Sequence, residues 1–214
     1  MKKSTIDLKK LNTFALKELL KKKNWEKIEE LLPAAEQFGV SGRLLQKTWT
    51  ELGQHQKKDD KLVSAIESFS SARKHDLGNS SILSEIFDCL SGFIDRFENK
   101  FSREDLLHLE YGLDRLYSFQ KTKIKKEDEN LRRAKELLTR IRYKKEEAPS
   151  KRETPATPYV FRVYAAIHHD MTFEEVKVEF ARVVAPLIRK QLAEKEKELP
   201  KSKKKKKNKK KNKK

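Results

Sequence analysis

Residues 46–79, QKTWTELGQHQKKDDKLVSAIESFSSARKHDLGN, decide the fold. Trp49, Leu52 and Gly53 come first; after a break Leu62 leads to Ala65, Phe69 and Ala72. Offsets of three, four and seven residues bring each set onto one helical face. Two antiparallel helices that pack closely need small residues where they touch and large ones around the contact. Gly53 and Ala65 are the small residues, and Trp49, Leu52, Leu62 and Phe69 fill the space beside them.

Written as W-x2-L-G followed by A-x3-F-x2-A, the pattern resembles the tetratricopeptide repeat, a helix–turn–helix unit of about 34 residues. Two positions depart from it: Gln56 stands at the usual tyrosine site and Leu77 at the closing proline. The resemblance implies a scaffold that binds something, with the first helix of each pair lining a concave groove.

Upstream, Phe14, Leu16, Leu19 and Leu20 form one apolar stripe, and Trp25, Ile28, Leu31, Leu32, Ala35 and Phe38 a second. Trp25, Ile28, Leu32 and Ala35 repeat the spacing of Leu62, Ala65, Phe69 and Ala72 at a shift of 37 residues. A degenerate copy over about residues 9–42 is therefore expected, with Gly39 and Gly42 as stop and turn residues. Pro33 is discordant, because proline inside a helix removes a hydrogen bond and costs about 3 kcal/mol unless the helix kinks or starts late.

Downstream, Ile82, Leu83, Ile86, Phe87, Leu90, Phe93, Ile94 and Phe97 predict a buried helix longer than the repeat normally holds. Ser102 and Asp105 resemble a capping box for the next helix, which carries Leu106, Leu109, Leu113, Leu116 and Phe119. A further helix is expected over Lys126–Lys145, apolar on the face of Leu131, Ala134, Leu137, Leu138 and Ile141, as in a helix that caps a solenoid or joins a coiled coil. The three prolines of residues 148–158 read as a linker. Residues 159–167 fit a strand or a buried helix, and helix is preferred because no strand partner is evident. Thr172 and Glu175 then cap a helix with Phe173, Val176, Phe180, Val183, Val184, Leu187 and Ile188 on its stripe, kinked at Pro186.

The expected organisation is all-α. Helical hairpin repeats of a tetratricopeptide-like α-solenoid fill residues 1–147, and residues 148–158 form the linker. Residues 159–199 form a small C-terminal helical segment, and residues 200–214 a disordered basic tail. The charged fraction is 39% and the apolar fraction 36%, with six Gly and six Pro, which favours solvated helices. No stretch is apolar for long enough to cross a bilayer, and no apolar run follows Met1-Lys2-Lys3 as in a signal peptide. A single cysteine, Cys89, excludes an internal disulfide and a thiolate zinc site. A reducing cytoplasmic setting fits, or a nuclear one if the source is eukaryotic.

Nothing in the motifs points to chemistry. The adjacent histidines of His168-His169-Asp170 would point about 100° apart on a helix, a poor arrangement for metal, and they sit before a predicted cap. His55, His75 and His108 are isolated and read as surface residues, and Cys89 as a small core residue. No phosphate loop, nucleophile elbow or catalytic carboxylate pair is recognisable. The expectation is a non-enzyme without metal or cofactor.

The resemblance implies which residues would meet a ligand: Lys47, Thr50, Gln54, Lys57 and Lys58 in the clear repeat, and Lys10, Thr13, Lys17 and Lys21 in the degenerate copy. The family's carboxylate clamp needs Lys and Asn where this chain has Thr50 and Gln54, so a terminal-carboxylate ligand is not supported. A basic groove favours an acidic segment of another protein. The bland alternative is a solvated lysine face.

The net charge of +18 divides unevenly: Lys201–Lys214 holds eleven lysines and no acid, which leaves +7 for the rest. Lys203, Lys204, Lys205, Lys206, Lys207, Lys209, Lys210 and Lys211 would attract RNA, DNA or an anionic surface without base selectivity, since no aromatic interleaves them. An accessory nucleic-acid-associated protein, ribosomal or RNA-bound, is thus the second expectation, beside a merely solubilising tail.

Overall fold

The computed structural model describes residues 7–97, 100–123, 128–150 and 154–168; the predicted helix from Thr172, Pro186 and the lysine tail lie outside them. Among the described residues there are eight helices and no strand. These are α1 (Leu8–Lys22), α2 (Trp25–Gln37), α3 (Gly42–Lys58), α4 (Leu62–Lys74), α5 (Ser80–Arg96), α6 (Arg103–Lys123), α7 (Glu129–Glu147) and α8 (Thr157–Ile167).

Short polar residues start most of them. The side chains of Asp7, Asn24, Ser41, Asn79 and Asp128 each accept a backbone N–H from the first turn of α1, α2, α3, α5 and α7. At α6 the expected box forms: the Ser102 N–H donates to Asp105 Oδ2 at 2.9 Å, and the Asp105 N–H to Ser102 Oγ at 3.1 Å. Gly39 follows α2 with φ +71°, the left-handed conformation that lets a chain leave a helix. Pro33 does not end α2, which runs through it; Pro33 and Glu29, whose carbonyl loses its donor, are both exposed, so water can take that place.

Two cores form. Leu16, Ile28, Leu32, Ala35, Val40, Leu45 and Leu52 pack together at the N-terminal end, and a larger cluster joins α4 to α8. Trp49 touches both and donates its indole N–H to Glu36 at 2.7 Å. Gly53 lies so close to α4 that an added Cβ would stand 2.9 Å from the Phe69 ring, which is fully buried with Ala65 and Ala72. The notch predicted from the sequence is therefore real. Phe14 departs from expectation: it is 65% exposed, because the buried face of α1 runs through Asn12 and Leu16 and residue 14 lies 160° round the helix from Leu16.

The C-terminal half is not a row of hairpins touching only their neighbours. α6 and α5 both pack against α7, and α8 returns to pack against α4 as well as α6. The preference for helix over residues 159–167 holds. The linker expectation does not describe residues 149 and 154–158. Pro149 O accepts the Arg103 N–H at 3.0 Å, Thr154 Oγ1 donates to Asp105 Oδ2 at 2.8 Å, and Ala156 is fully buried. Pro158 sits in the first turn of α8, where a missing N–H costs nothing, so the proline marks a helix start. Arg162 on α8 holds Glu67 on α4 through two hydrogen bonds, at 2.8 and 2.6 Å. Helices α1 to α8 lie in one compact unit.

Candidate functional site

The residues expected to face a ligand sit on α1 and α3, and α2 packs between the two, on α1 and on α3. Lys10, Lys17, Lys21, Lys47, Gln54 and Lys58 are exposed, while Thr13, Thr50 and Lys57 are half-buried. Their availability differs. Lys10 pairs with Asp7 at 3.4 Å, Lys21 with Glu18 at 2.8 Å and Lys47 with Glu51 at 3.7 Å, all exposed pairs within one helix or its cap. Such pairs hold weakly and exchange readily for another carboxylate. Among the described residues, Lys17, Gln54 and Lys58 hold no side-chain hydrogen bond or ion pair. Thr13 and Thr50 donate their hydroxyls to the carbonyls of Lys9 and Gln46 on their own helices, at 2.7 and 2.8 Å.

Lys57 is committed to the fold. Its Nζ lies 2.7 Å from Glu85 Oε2 and 3.0 Å from Asp88 Oδ2, both on α5. Asp88 also pairs with Arg133 of α7, whose guanidinium donates to Ser84 Oγ at 2.9 Å. Burial pushes the Asp88 carboxyl up, but the hydrogen bonds from Arg133 and Lys57 outweigh it and leave it below the usual carboxylate value. Burial likewise lowers Lys57, and its two carboxylates outweigh that and raise it. Farther along, Asp95 of α5 pairs with Arg140 of α7. Helices α1 and α3 thus carry exposed lysines, whereas the cations where α5 meets α7 are neutralised by Asp88 and Asp95. The sequence could not disclose the Asp88 hub, whose partners lie 31 and 45 residues away.

A second charged cluster joins α6 to α7. Glu110 accepts from Lys145 and from Arg142, at 2.5 and 2.7 Å. Burial raises this carboxyl, and the two cations more than reverse it. Described residues also line two shallow cavities. One of about 200 Å³ lies between α5 and α7 beside Ser91, Arg133, Glu136 and Arg140. Another of about 260 Å³ lies where α4, α5 and α8 meet, between Lys61, Arg96, Phe97, Tyr159 and Arg162. Arg96 there pairs with the Asp60 carboxylate, Lys61 lies 3.8 Å from that of Asp59, and Arg162 is bound to Glu67, so the cations of this cavity are matched by carboxylates. No group of three or more His, Cys, Asp and Glu side chains placed to hold a metal ion occurs among the described residues.

The histidines divide unexpectedly. His55 stacks on Trp25 with ring centroids 5.1 Å apart, and His75 lies half-buried near Glu36. His108 is not a surface residue: it is 2% exposed, with Nδ1 2.8 Å from the Glu104 carbonyl and its ring edge-on to Phe161 of α8 at 4.6 Å. The return of α8, invisible to a search along the chain, is what buries it. His168 ends α8 beside Tyr111 and Tyr164, while His169 and Asp170 lie outside the described residues. Cys89 is fully buried, and burial pushes its thiol up to about 12, so it behaves as an apolar core residue.

Burial also pushes the His108 imidazole down to about 4, from an ordinary 6.5. Unfolded chain therefore binds a proton that folded chain refuses between these values, and stability falls as pH falls through that window. The expected loss between pH 7 and pH 4 is about 3 kcal/mol from this residue alone. Urea unfolding across that range checks it, and His108→Leu should flatten the slope. An equally steep slope in the variant would assign the acid sensitivity to other groups.

Compared with family models, with curated proteins and with solved structures, the chain has no match in any of the three. No helix among the described residues is long and apolar enough to cross a membrane. The class that the fold defines, among the described residues, is an all-helical protein whose α1 and α3 carry exposed lysines, with the net acidic α2 packed between them.

Proposed function

We propose that this chain is a non-catalytic protein-interaction scaffold, built of tetratricopeptide-like helical hairpins, whose basic face on α1 and α3 binds an acidic segment of another protein. The observation that carries the reading is the solvent exposure of Lys10, Lys17, Lys21, Lys47 and Lys58 on the first helices of two successive hairpins. The Trp49–Gly53–Ala65–Phe69 packing supports the hairpin part of it. Lys57 contributes through the fold, by tying α3 to α5. The protein works in a reducing compartment, the cytoplasm or a nucleus.

The triple variant Lys17→Glu, Lys47→Glu, Lys58→Glu tests this in the full chain, because none of the three bridges two helices among the described residues. A fluorescent Glu/Asp-rich peptide should bind it at least tenfold more weakly than the parent, about 1.4 kcal/mol, with a shallower salt dependence. Unchanged binding at low salt would remove the basic face from the reading.

A second reading rests on the eleven lysines of Lys201–Lys214: an accessory nucleic-acid-associated protein in which the tail supplies the affinity. RNA of arbitrary sequence should then bind at about 50 mM salt, weaken steeply by about 200 mM, and lose the chain when residues 201–214 are removed. Retention of RNA by the tail-less chain would sink this second reading.

A further inference from the structure

The outer side of α1 carries a feature that lysines alone do not explain. Leu8, Leu11 and Phe14 are 43%, 56% and 65% exposed, at successive i, i+3 positions, and so form one apolar stripe. Lys10 and Lys17 lie one turn from Phe14, and Lys21 two turns from it, along the same side. From Asp7 to Lys23 the segment holds six lysines against Asp7 and Glu18, a net charge of +4.

We infer that this stripe is the anchoring point of an acidic amphipathic helix from a partner protein, with apolar residues one turn apart seated on Leu11 and Phe14 and carboxylates meeting Lys10, Lys17 and Lys21. The inference rests on the acidic-partner reading above and adds that recognition is apolar as well as ionic. Charge complementarity selects the occupant: a second apolar helix without acids would leave Lys17 unmatched and Lys10 and Lys21 with only their weak exposed pairs to Asp7 and Glu18. A lipid surface fits less well. The stripe runs over seven residues, Leu8 to Phe14, about 9 Å of helix, and is bounded by Asp7 and Glu18. The longer apolar face of α1, with Leu16, Leu19 and Leu20, is turned into the N-terminal core, whereas an interfacial helix gives that face to the membrane.

The test uses the full chain and two labelled helical peptides of Glu and Ala, one carrying leucines one turn apart and one without. Leu11→Ala, Phe14→Ala is the variant, since alanine preserves the helix and both side chains are exposed. The leucine peptide should bind the parent about tenfold tighter than it binds the variant, and a photocrosslinker beside its leucines should label α1. The leucine-free peptide should bind both chains equally and weakly. The inference is overturned if the two peptides bind the parent alike, if crosslinks fall only in residues 201–214, or if the variant instead abolishes vesicle binding or self-association of the parent. Should the peptides bind alike but weaken together in the Lys17, Lys47, Lys58 reversal, the broader reading survives without this anchor. If neither binds, both fall.

Discussion

Phe69→Ala is expected to lower the unfolding free energy by about 3–5 kcal/mol, the range for deleting a fully buried aromatic ring. The ring lies in the α3–α4 contact, against the residue whose missing side chain makes room for it: a Cβ on Gly53 would meet Cδ1 and Cε1 of Phe69 at 2.9 Å. Gly53→Ala should therefore destabilise the parent even though alanine is the better helix former by about 1 kcal/mol. Overpacking of about 1–3 kcal/mol opposes that gain, and a buried ring has little room to retreat. With Phe69 already reduced to alanine the obstruction is gone and the sign reverses, so Gly53→Ala should then stabilise. Urea unfolding of the four chains of this cycle measures the coupling directly. Equal effects of Gly53→Ala in both backgrounds would mean that the notch does not hold the hairpin together.

That contact was legible because both its halves leave a trace in sequence: a glycine within an otherwise strong helix pattern, and an Ala-Phe-Ala stripe one helix later. Caps were legible for the same reason, Ser102 and Asp105 being three residues apart and acting locally. Periodicity groups residues onto a face but does not say which face finds a neighbour. The stripe pattern groups Phe14 with Leu16, yet Phe14 is exposed; isolation along the chain points to a surface His108, yet the return of α8 buries it. Of the candidate face, the lysines of α1 and α3 could be named from their positions, but not the loss of Lys57 to Glu85 and Asp88. The docking of α8 was hidden most completely. Its ties to the body, Arg162 to Glu67 and Thr154 to Asp105, join residues 95 and 49 apart, and three prolines in the approach resembled an open spacer.

Gly112→Leu should release α8. Gly112 lies within α6 at its crossing with α8, where an added Cβ would stand 2.7 Å from Cδ2 of Tyr164 and 2.8 Å from Cδ1 of Ile167. Both partners are buried, so neither can yield without moving the helix that carries them. Leucine favours a helix by nearly 1 kcal/mol over glycine, hence any loss must arise between the helices and not within α6. The expected cost is about 3 kcal/mol, seen as a roughly hundredfold fall in amide-exchange protection across Val160–Ile167. Protection in α3 and α4 should persist, since their shared notch at Gly53 is untouched. Arg162→Ala is the matched comparison: it removes a half-exposed ion pair of α8 with α4 and should cost only about 1 kcal/mol or less. If Arg162→Ala loosened α8 as much as Gly112→Leu, the helix would be held mainly by charge. If only the glycine variant does so, close backbone approach at residue 112 is what converts an apparent linker into part of the core.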